Sequence, residues 1–141
     1  MREVFVDTFY WVALANPRDQ WHDGVKEFSE SLEQTRFVTT DEVLVEFLTL
    51  LSSLGPEMRQ AAVRLSRGIM NDANIRVIPQ TSTSFFSGLA LYEARPDKQY
   101  SLTDCVSMQT MRELGAIEVL TNDRHFAQEG FTILFSSDQA S

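Results

Sequence analysis

Short apolar runs alternate along this chain with longer stretches of helical periodicity, and this alternation limits the possible folds more than any other feature. Five runs rich in Val, Ile, Leu and Phe are predicted to be strands, at residues 4–6, 37–38, 75–78, 117–120 and 131–135. Strands that alternate with helices are typical of an α/β domain with a mostly parallel sheet. Because 141 residues is the length of one compact domain, we expect a single domain over residues 1–141.

The stretches between these runs carry apolar residues at three- and four-residue spacings, which predicts amphipathic helices. The predicted helices cover residues 9–15, 19–32, 39–54, 56–72, 84–94 and 103–114. Thr39 and Glu42 have the spacing of a capping box at the start of the third helix. Gly115 is the expected stop of the sixth helix, and residues 136–141 are expected to be a frayed tail.

A single cysteine and a strongly negative charge restrict the possible functions. Cys105 can form neither an intrachain disulfide nor a four-thiolate zinc site, and we expect it to be a small buried hydrophobic residue. The formal net charge of −8 argues against a broad basic surface that wraps nucleic acid. That argument weakens if carboxylates belong to a metal site, because divalent cations reverse the local charge. No apolar stretch is long enough to span a membrane, so we expect a cytoplasmic protein without a membrane partner.

Two aspartates stand just after predicted strands, Asp7 after residues 4–6 and Asp123 after residues 117–120. The carboxyl ends of parallel strands line the ligand crevice of an open sheet, so both side chains could point into one cleft. Asp is also a favoured helix N-cap, and each residue could simply cap the helix that follows. The residues alone leave both interpretations open.

Two further acids stand in places where a purely structural role is less satisfactory. Glu46 lies in a predicted helix with apolar residues on nearly every side, although a solvent-facing glutamate is the ordinary alternative. Asp104 begins the helix at residues 103–114, where it could again be a cap. Four such acids brought together would repel one another unless they were protonated or bound to cations. Oxygen ligands suit Mg²⁺ or Mn²⁺, and such a site can activate water against a phosphodiester.

The order of these acidic segments resembles the PIN-domain family. The matching segments are VFVDT at residues 4–8, NPRD at 16–19, TDEVLVE at 40–46, SLTDC at 101–105 and LTNDRHF at 120–126. The resemblance spans nearly the whole chain, and the segments are most similar to the VapC-type toxins of bacterial type II toxin–antitoxin systems.

The resemblance implies a Rossmann-like three-layer α/β/α sandwich and Mg²⁺- or Mn²⁺-dependent endoribonuclease activity on RNA. It also implies a cognate antitoxin and frequent homodimers. By the same resemblance Asp7, Glu46, Asp104 and Asp123 take the catalytic metal positions, and Thr121 is a supporting hydroxyl.

Three arginines on one predicted helix, Arg59, Arg64 and Arg67, could contact RNA phosphates. The alternative is that they form an ordinary solvated face. Trp11 and Trp21 could stack on bases, but their spacing follows the apolar stripes and favours packing.

Other enzymes with acids at strand ends fit less well. A haloacid dehalogenase-type phosphatase needs a second aspartate two residues after the first, where this chain has Phe9. A phospho-acceptor receiver domain needs a lysine after a late strand, and the only lysines are Lys26 and Lys98. The alternative that stays open is a PIN-like fold that binds or scaffolds partners without significant nuclease activity.

Overall fold

Five parallel strands form one sheet at the centre of the molecule in the computed structural model, which describes residues 1–135. The strand order is β3-β2-β1-β4-β5, and every pairing is parallel. The strands are β1 (Arg2–Val6), β2 (Thr35–Thr40), β3 (Ile75–Ile78), β4 (Glu118–Leu120) and β5 (Thr132–Phe135). The predicted tail at residues 136–141 lies outside the described part of the chain.

Within residues 1–135, seven α-helices connect and cover these strands, which gives the predicted three-layer α/β/α sandwich. They are α1 (Thr8–Ala15), α2 (His22–Ser31), α3 (Asp41–Leu51), α4 (Pro56–Asn71), α5 (Ser82–Ala94), α6 (Leu102–Leu114) and α7 (His125–Gln128), with a 3₁₀ turn at Ser52–Leu54. Within this described part of the chain, no helix has both the length and the apolar character needed to cross a membrane.

The strand order reverses between β1 and β4. From β1 the chain builds the sheet outward through β2 and β3, and it then returns to add β4 on the other side of β1. Such a switch point opens a crevice at the carboxyl ends of the two strands, because their connections leave in opposite directions. The segments that follow β1 and β4 therefore meet at this crevice.

The central strand explains why the first apolar run is continuous rather than alternating. Val4, Phe5 and Val6 are fully buried, because β1 pairs with a strand on each side and is covered on both faces. Phe5 pairs with Val38 of β2 and with Val119 of β4. Strand β1 is thus the buried central strand on whose carboxyl end the crevice opens.

The main departures from the predicted elements lie at helix starts. The predicted capping box of Thr39 and Glu42 is wrong, because β2 continues through Thr40 and the Thr40 hydroxyl accepts from the Val43 N–H. Thr39 is instead buried in the sheet, where its hydroxyl donates to the Val6 carbonyl and accepts from Trp11. Its side chain thereby ties β2 to β1 and α1.

Smaller differences concern lengths. Helix α2 begins at His22 rather than at residue 19, α3 ends at Leu51 before the 3₁₀ turn, and β2 has six residues where two were predicted. The short helix α7 was not predicted at all. Gly115 does end α6, with the left-handed φ of 71° that favours glycine there.

Candidate metal centre

Asp7 directly follows β1, and its side chain is buried against the start of the loop that joins β4 to α7. Its backbone N–H donates to the Leu120 carbonyl (3.2 Å), and its Oδ2 accepts from the Thr121 hydroxyl (2.9 Å). Asp7 occupies the N-cap position of α1 but makes no side-chain cap hydrogen bond. Within residues 1–135 its Oδ1 has no hydrogen-bond partner. Helix capping therefore does not account for this carboxylate.

Asp104 has a structural role in the cap of α6. It is the third residue of α6 and forms a capping box, in which the Asp104 N–H donates to Ser101 Oγ and the Ser101 N–H donates to Asp104 Oδ2, both at 3.0 Å. The box locks the rotamer of a residue that is 8% exposed. The expectation of a cap and the expectation of a site residue are therefore compatible at this position.

Thr121 and Asp123 form a tight turn after β4. The Thr121 hydroxyl, fully buried, accepts from the Asp123 N–H (3.0 Å) while it donates to Asp7. Asp123 Oδ1 in turn accepts from the His125 N–H (2.9 Å). One hydroxyl thus couples the end of β1 to the loop after β4, across the switch point of the sheet.

His125 joins this group, although it was not among the site residues predicted from the sequence. Its Nδ1 lies 3.1 Å from Asp123 Oδ1 and 3.7 Å from Asp104 Oδ2, and ligand atoms of the three residues all lie within 4.8 Å of one another. That nitrogen has no geometrically acceptable hydrogen bond in the described residues. The one indication in the sequence is that His125 lies two residues after Asp123. The direction of its side chain depends on α7, which was not predicted.

Glu46 is near the other acids, but the reason given for selecting it was only partly right. The apolar neighbours Val45 and Leu50 are exposed rather than buried, at 55% and 53%, and Glu46 itself is half-buried. Its charge nevertheless acts on Asp7 and Asp104, where it is among the causes that raise their pKa. The structure therefore brings Glu46 to the side of the cluster.

The electrostatics of the cluster favour a bound cation. The pKa of Asp7 is raised to about 7, mainly by burial and further by the charges of Asp104 and Glu46, while the Thr8 N–H and the Thr121 hydroxyl oppose the rise. Burial also raises the pKa of Asp104, with further contributions from Asp123 and Glu46. A raised pKa means that the ionised carboxylate is costly in this environment. A divalent cation bound to the carboxylates would neutralise their charge and remove that cost.

A family model, the PIN domain, matches residues 4–131, which include every residue of this cluster. The chain belongs to the PIN domain family. PIN nucleases use divalent metal ions, and the acidic cluster of this PIN domain could hold one.

Similar proteins come from several bacteria. A 23S rRNA-specific endonuclease of Mycobacterium tuberculosis, VapC20, is 29% identical over 91% of this chain and 95% of its own length. Its crystal structure, described as that of a sarcin–ricin loop cleaving toxin, superposes with a TM-score of 0.81 at 28% identity over 92% of this chain and 96% of that one. The predicted membership of the PIN domain family and the predicted likeness to VapC-type proteins are thereby confirmed.

Two more distant structures share the fold. FitAcB from Neisseria gonorrhoeae has a TM-score of 0.65 at 13% identity, over 94% of this chain and 96% of that one. VapBC2 from Rickettsia felis, bound to a DNA fragment from its promoter, has a TM-score of 0.64 at 12% identity, over 93% and 96%.

The other residues selected from the sequence lie outside the cluster of this PIN domain. Arg59, Arg64 and Arg67 are exposed on α4, a helix that supplies none of the clustered side chains. Trp11 is buried and donates to Thr39, as expected of a packing residue. Cys105 is buried as predicted, and burial raises the pKa of its thiol to about 11, so it is a poor nucleophile.

Proposed function

We propose that this chain is the toxin of a type II toxin–antitoxin pair and hydrolyses RNA through a metal site formed by Asp7, Glu46, Asp104 and Asp123. The observation that carries the proposal is the position of Asp7 at the switch point of the sheet, buried, with its pKa raised to about 7 and its Oδ1 unpaired among residues 1–135. A buried carboxylate oxygen without a partner is costly unless a ligand uses it.

The donors fit a hard divalent cation, Mg²⁺ or Mn²⁺. Carboxylate oxygens suit both ions, and the nearby Nδ1 of His125 suits Mn²⁺ better than Mg²⁺. When bound, such an ion polarises the scissile phosphate and lowers the pKa of an attacking water. We therefore propose His125 as an additional donor, and we expect Mn²⁺ to support the higher activity.

The side chains of this chain would hold the reacting groups in fixed positions. Thr121 donates to Asp7 Oδ2 and so leaves Oδ1 directed away from that bond. The Ser101 capping box fixes one oxygen of Asp104, and the His125 N–H fixes one oxygen of Asp123. Each carboxylate thus keeps a structural hydrogen bond and retains acceptor capacity for a ligand.

The comparisons support a substrate and partners of a definite kind. Because VapC20 is named a 23S rRNA-specific endonuclease, we propose that an exposed loop of ribosomal RNA is the substrate. The VapBC2 neighbour supports a cognate antitoxin as the protein partner. We further propose a cytoplasmic homodimer in which residues 1–141 form one PIN domain, and phosphate contacts by Arg59, Arg64 and Arg67.

The test is cleavage of a labelled sarcin–ricin stem-loop RNA by purified protein in Mn²⁺, Mg²⁺ or EDTA. We expect EDTA, Asp7→Asn and Asp104→Asn each to reduce cleavage more than about 100-fold, beyond the 10- to 100-fold typical of residues that only support a metal ligand. Asp97→Asn, an exposed aspartate outside the cluster, is the matched control and should cleave like the wild type. Equal cleavage by wild type and both site variants would refute the proposal and point to a contaminant.

A further inference from the structure

A pocket of about 530 Å³ lies between the first turns of α3, α5 and α6. Its volume lies in the range of about 300–1,000 Å³ that is usual for small-molecule sites. Leu102 and Thr103, which line it, directly precede Asp104 on α6. Glu42, which also lines it, stands one helical turn before Glu46 on α3. Two of the helices that form the pocket, α3 and α6, therefore also carry two of the proposed metal ligands, Glu46 and Asp104.

The walls of the pocket are aromatic and exposed. Phe85 and Phe86 of α5 are 47% and 64% exposed, with their rings 5.6 Å apart and inclined at 76°. Exposed aromatic side chains beside a phosphodiester-cleaving site are the usual stacking platforms for unpaired bases.

The back of the pocket is held firmly. A Cβ built on Gly88 would lie 2.4 Å from Val106 Cγ2, so α5 and α6 approach as closely as a glycine permits. Phe85 lies less than one turn before Gly88, and Val106 lines the pocket. Helix α5, which contains Phe85 and Phe86, therefore cannot move closer to α6.

The polar side of the pocket is a carboxylate. Glu42 is half-buried, its Oε2 accepts from the Ser84 hydroxyl (2.9 Å), and its Oε1 has no hydrogen-bond partner in the described residues. A phosphate would be repelled here, whereas the N–H groups on the edge of a base would be attracted. Guanine alone among the RNA bases presents two adjacent N–H donors, on N1 and N2, to a carboxylate that retains acceptor sites.

We propose that this pocket binds an unpaired guanine of the substrate RNA next to the scissile phosphate. The base stacks on Phe85 and Phe86 and donates to Glu42. The proposal rests on the ribonuclease function proposed above, and it adds a base preference to it.

The experiment compares single-cut RNA hairpins that carry guanine, inosine or uracil beside the scissile bond. Inosine lacks only the N2 amino group. Cleavage is measured as kcat/KM for wild type, Phe85→Ala and Glu42→Gln, and Tyr92→Ala is the matched control because it removes an exposed aromatic ring elsewhere on α5. Binding is measured separately by fluorescence anisotropy with the Asp104→Asn protein in Mg²⁺, so that discrimination between bases can be read without cleavage.

We expect wild type to prefer guanine over inosine by about tenfold or more, the effect of one hydrogen bond to a charged acceptor. Glu42→Gln should bring that ratio close to one. Phe85→Ala should lower kcat/KM on the guanine RNA by about 5- to 150-fold, the range for loss of one base-stacking ring. Tyr92→Ala should stay within about twofold of wild type, and thermal melting should show that all variants are folded.

Equal use of guanine and inosine RNA by wild type, in cleavage and in binding, would overturn the proposal. So would equal losses in Phe85→Ala and Tyr92→Ala. A shift of Phe85→Ala from dimer to monomer in light scattering, with the same loss on every RNA, would assign the surface to a second copy of the chain instead. If no RNA is cleaved but the Asp104→Asn protein still prefers guanine, the nuclease function fails while the pocket stands.

Discussion

The metal-free protein should lose stability as the pH rises, and Asp7→Asn should prevent most of that loss. In the folded chain Asp7 holds its proton until about pH 7, whereas its ordinary pKa is 3.8. The folded state therefore binds more protons than the unfolded state between these values, and its stability falls as the pH rises through that window. The direction is opposite to that of an ordinary salt-bridged aspartate.

The magnitude follows from the two pKa values. Each pH unit within the window costs about 1.4 kcal/mol, so stability should drop by roughly 2–3 kcal/mol between pH 5 and pH 8. The full difference, about 4 kcal/mol, is reached above pH 7. Asp104, whose pKa is also raised, adds to the loss with the same sign. Asn at position 7 has nearly the same shape but cannot ionise, so its variant should lack the Asp7 contribution.

The assay is urea unfolding in EDTA at pH 5, 6, 7 and 8, followed by circular dichroism. The free energy of unfolding of Asp7→Asn minus that of wild type should grow by about 2–3 kcal/mol from pH 5 to pH 8. Asp97→Asn controls for the loss of one negative charge. Mn²⁺ should narrow the difference at pH 8, because a 100-fold excess over Kd stabilises wild type by about 2.7 kcal/mol, which offsets most of the cost of about 4 kcal/mol. A pH-independent difference between the two proteins would refute the reasoning.

Three further predictions use single substitutions. Thr121→Val should lower the free energy of unfolding by about 1–3 kcal/mol, because it leaves polar atoms of Asp7 and Asp123 unpaired. It should also move the acidic limb of the pH–rate profile to higher pH, because the Thr121 hydroxyl lowers the pKa of Asp7 and its removal raises that pKa. Gly88→Ala should destabilise by about 1–3 kcal/mol in thermal melting, because its Cβ meets α6. Glu129→Gln should lower the free energy of unfolding by about 1–3 kcal/mol at pH 7. This is less than the loss of a fully buried ion pair, because both partner arginines are over a third exposed. The difference from wild type should disappear as the pH falls from 4.5 to 2, because Glu129, with a pKa of about 2 in the folded chain, loses its charge there.

The strands and most helices could be predicted because each is specified locally. A run such as Val4–Val6 is apolar on both faces only when a strand is central in a covered parallel sheet. Pro56 and Gly115 mark helix boundaries through backbone geometry that no distant contact has to supply. The start of α2 was misplaced because Asp19 forms a local turn with Trp21 and His22 before the helix begins. The end of β2 was misplaced because pairing with distant segments decides it. Thr39, for example, stays in the sheet through bonds to Val6 and Trp11.

The acidic cluster could be predicted from strand ends, but its neighbours could not. Asp7 and Asp123 follow strands that adjoin only because β4 returns to the side of β1. His125 and the Phe85–Phe86 wall depend on the packing of α7 and α5, which single residues do not indicate. Glu46 was selected for an apolar helix face that is in fact exposed. Its closeness to the cluster comes from the packing of α3 against α6.

The position of Asp104 is fixed by a second network that does not depend on metal. Glu129 accepts hydrogen bonds from Arg95, Arg112 and Tyr100, and these bonds join the end of α5, the last turn of α6 and the residue just before the Ser101 cap. The Tyr100 ring also packs on the His125 ring, with centroids 5.1 Å apart. Both ends of α6 and the imidazole beside Asp104 are therefore held by one carboxylate outside the cluster. Because none of these bonds involves a metal ligand's free oxygen, metal binding should mainly neutralise charge and should need little ordering of the chain.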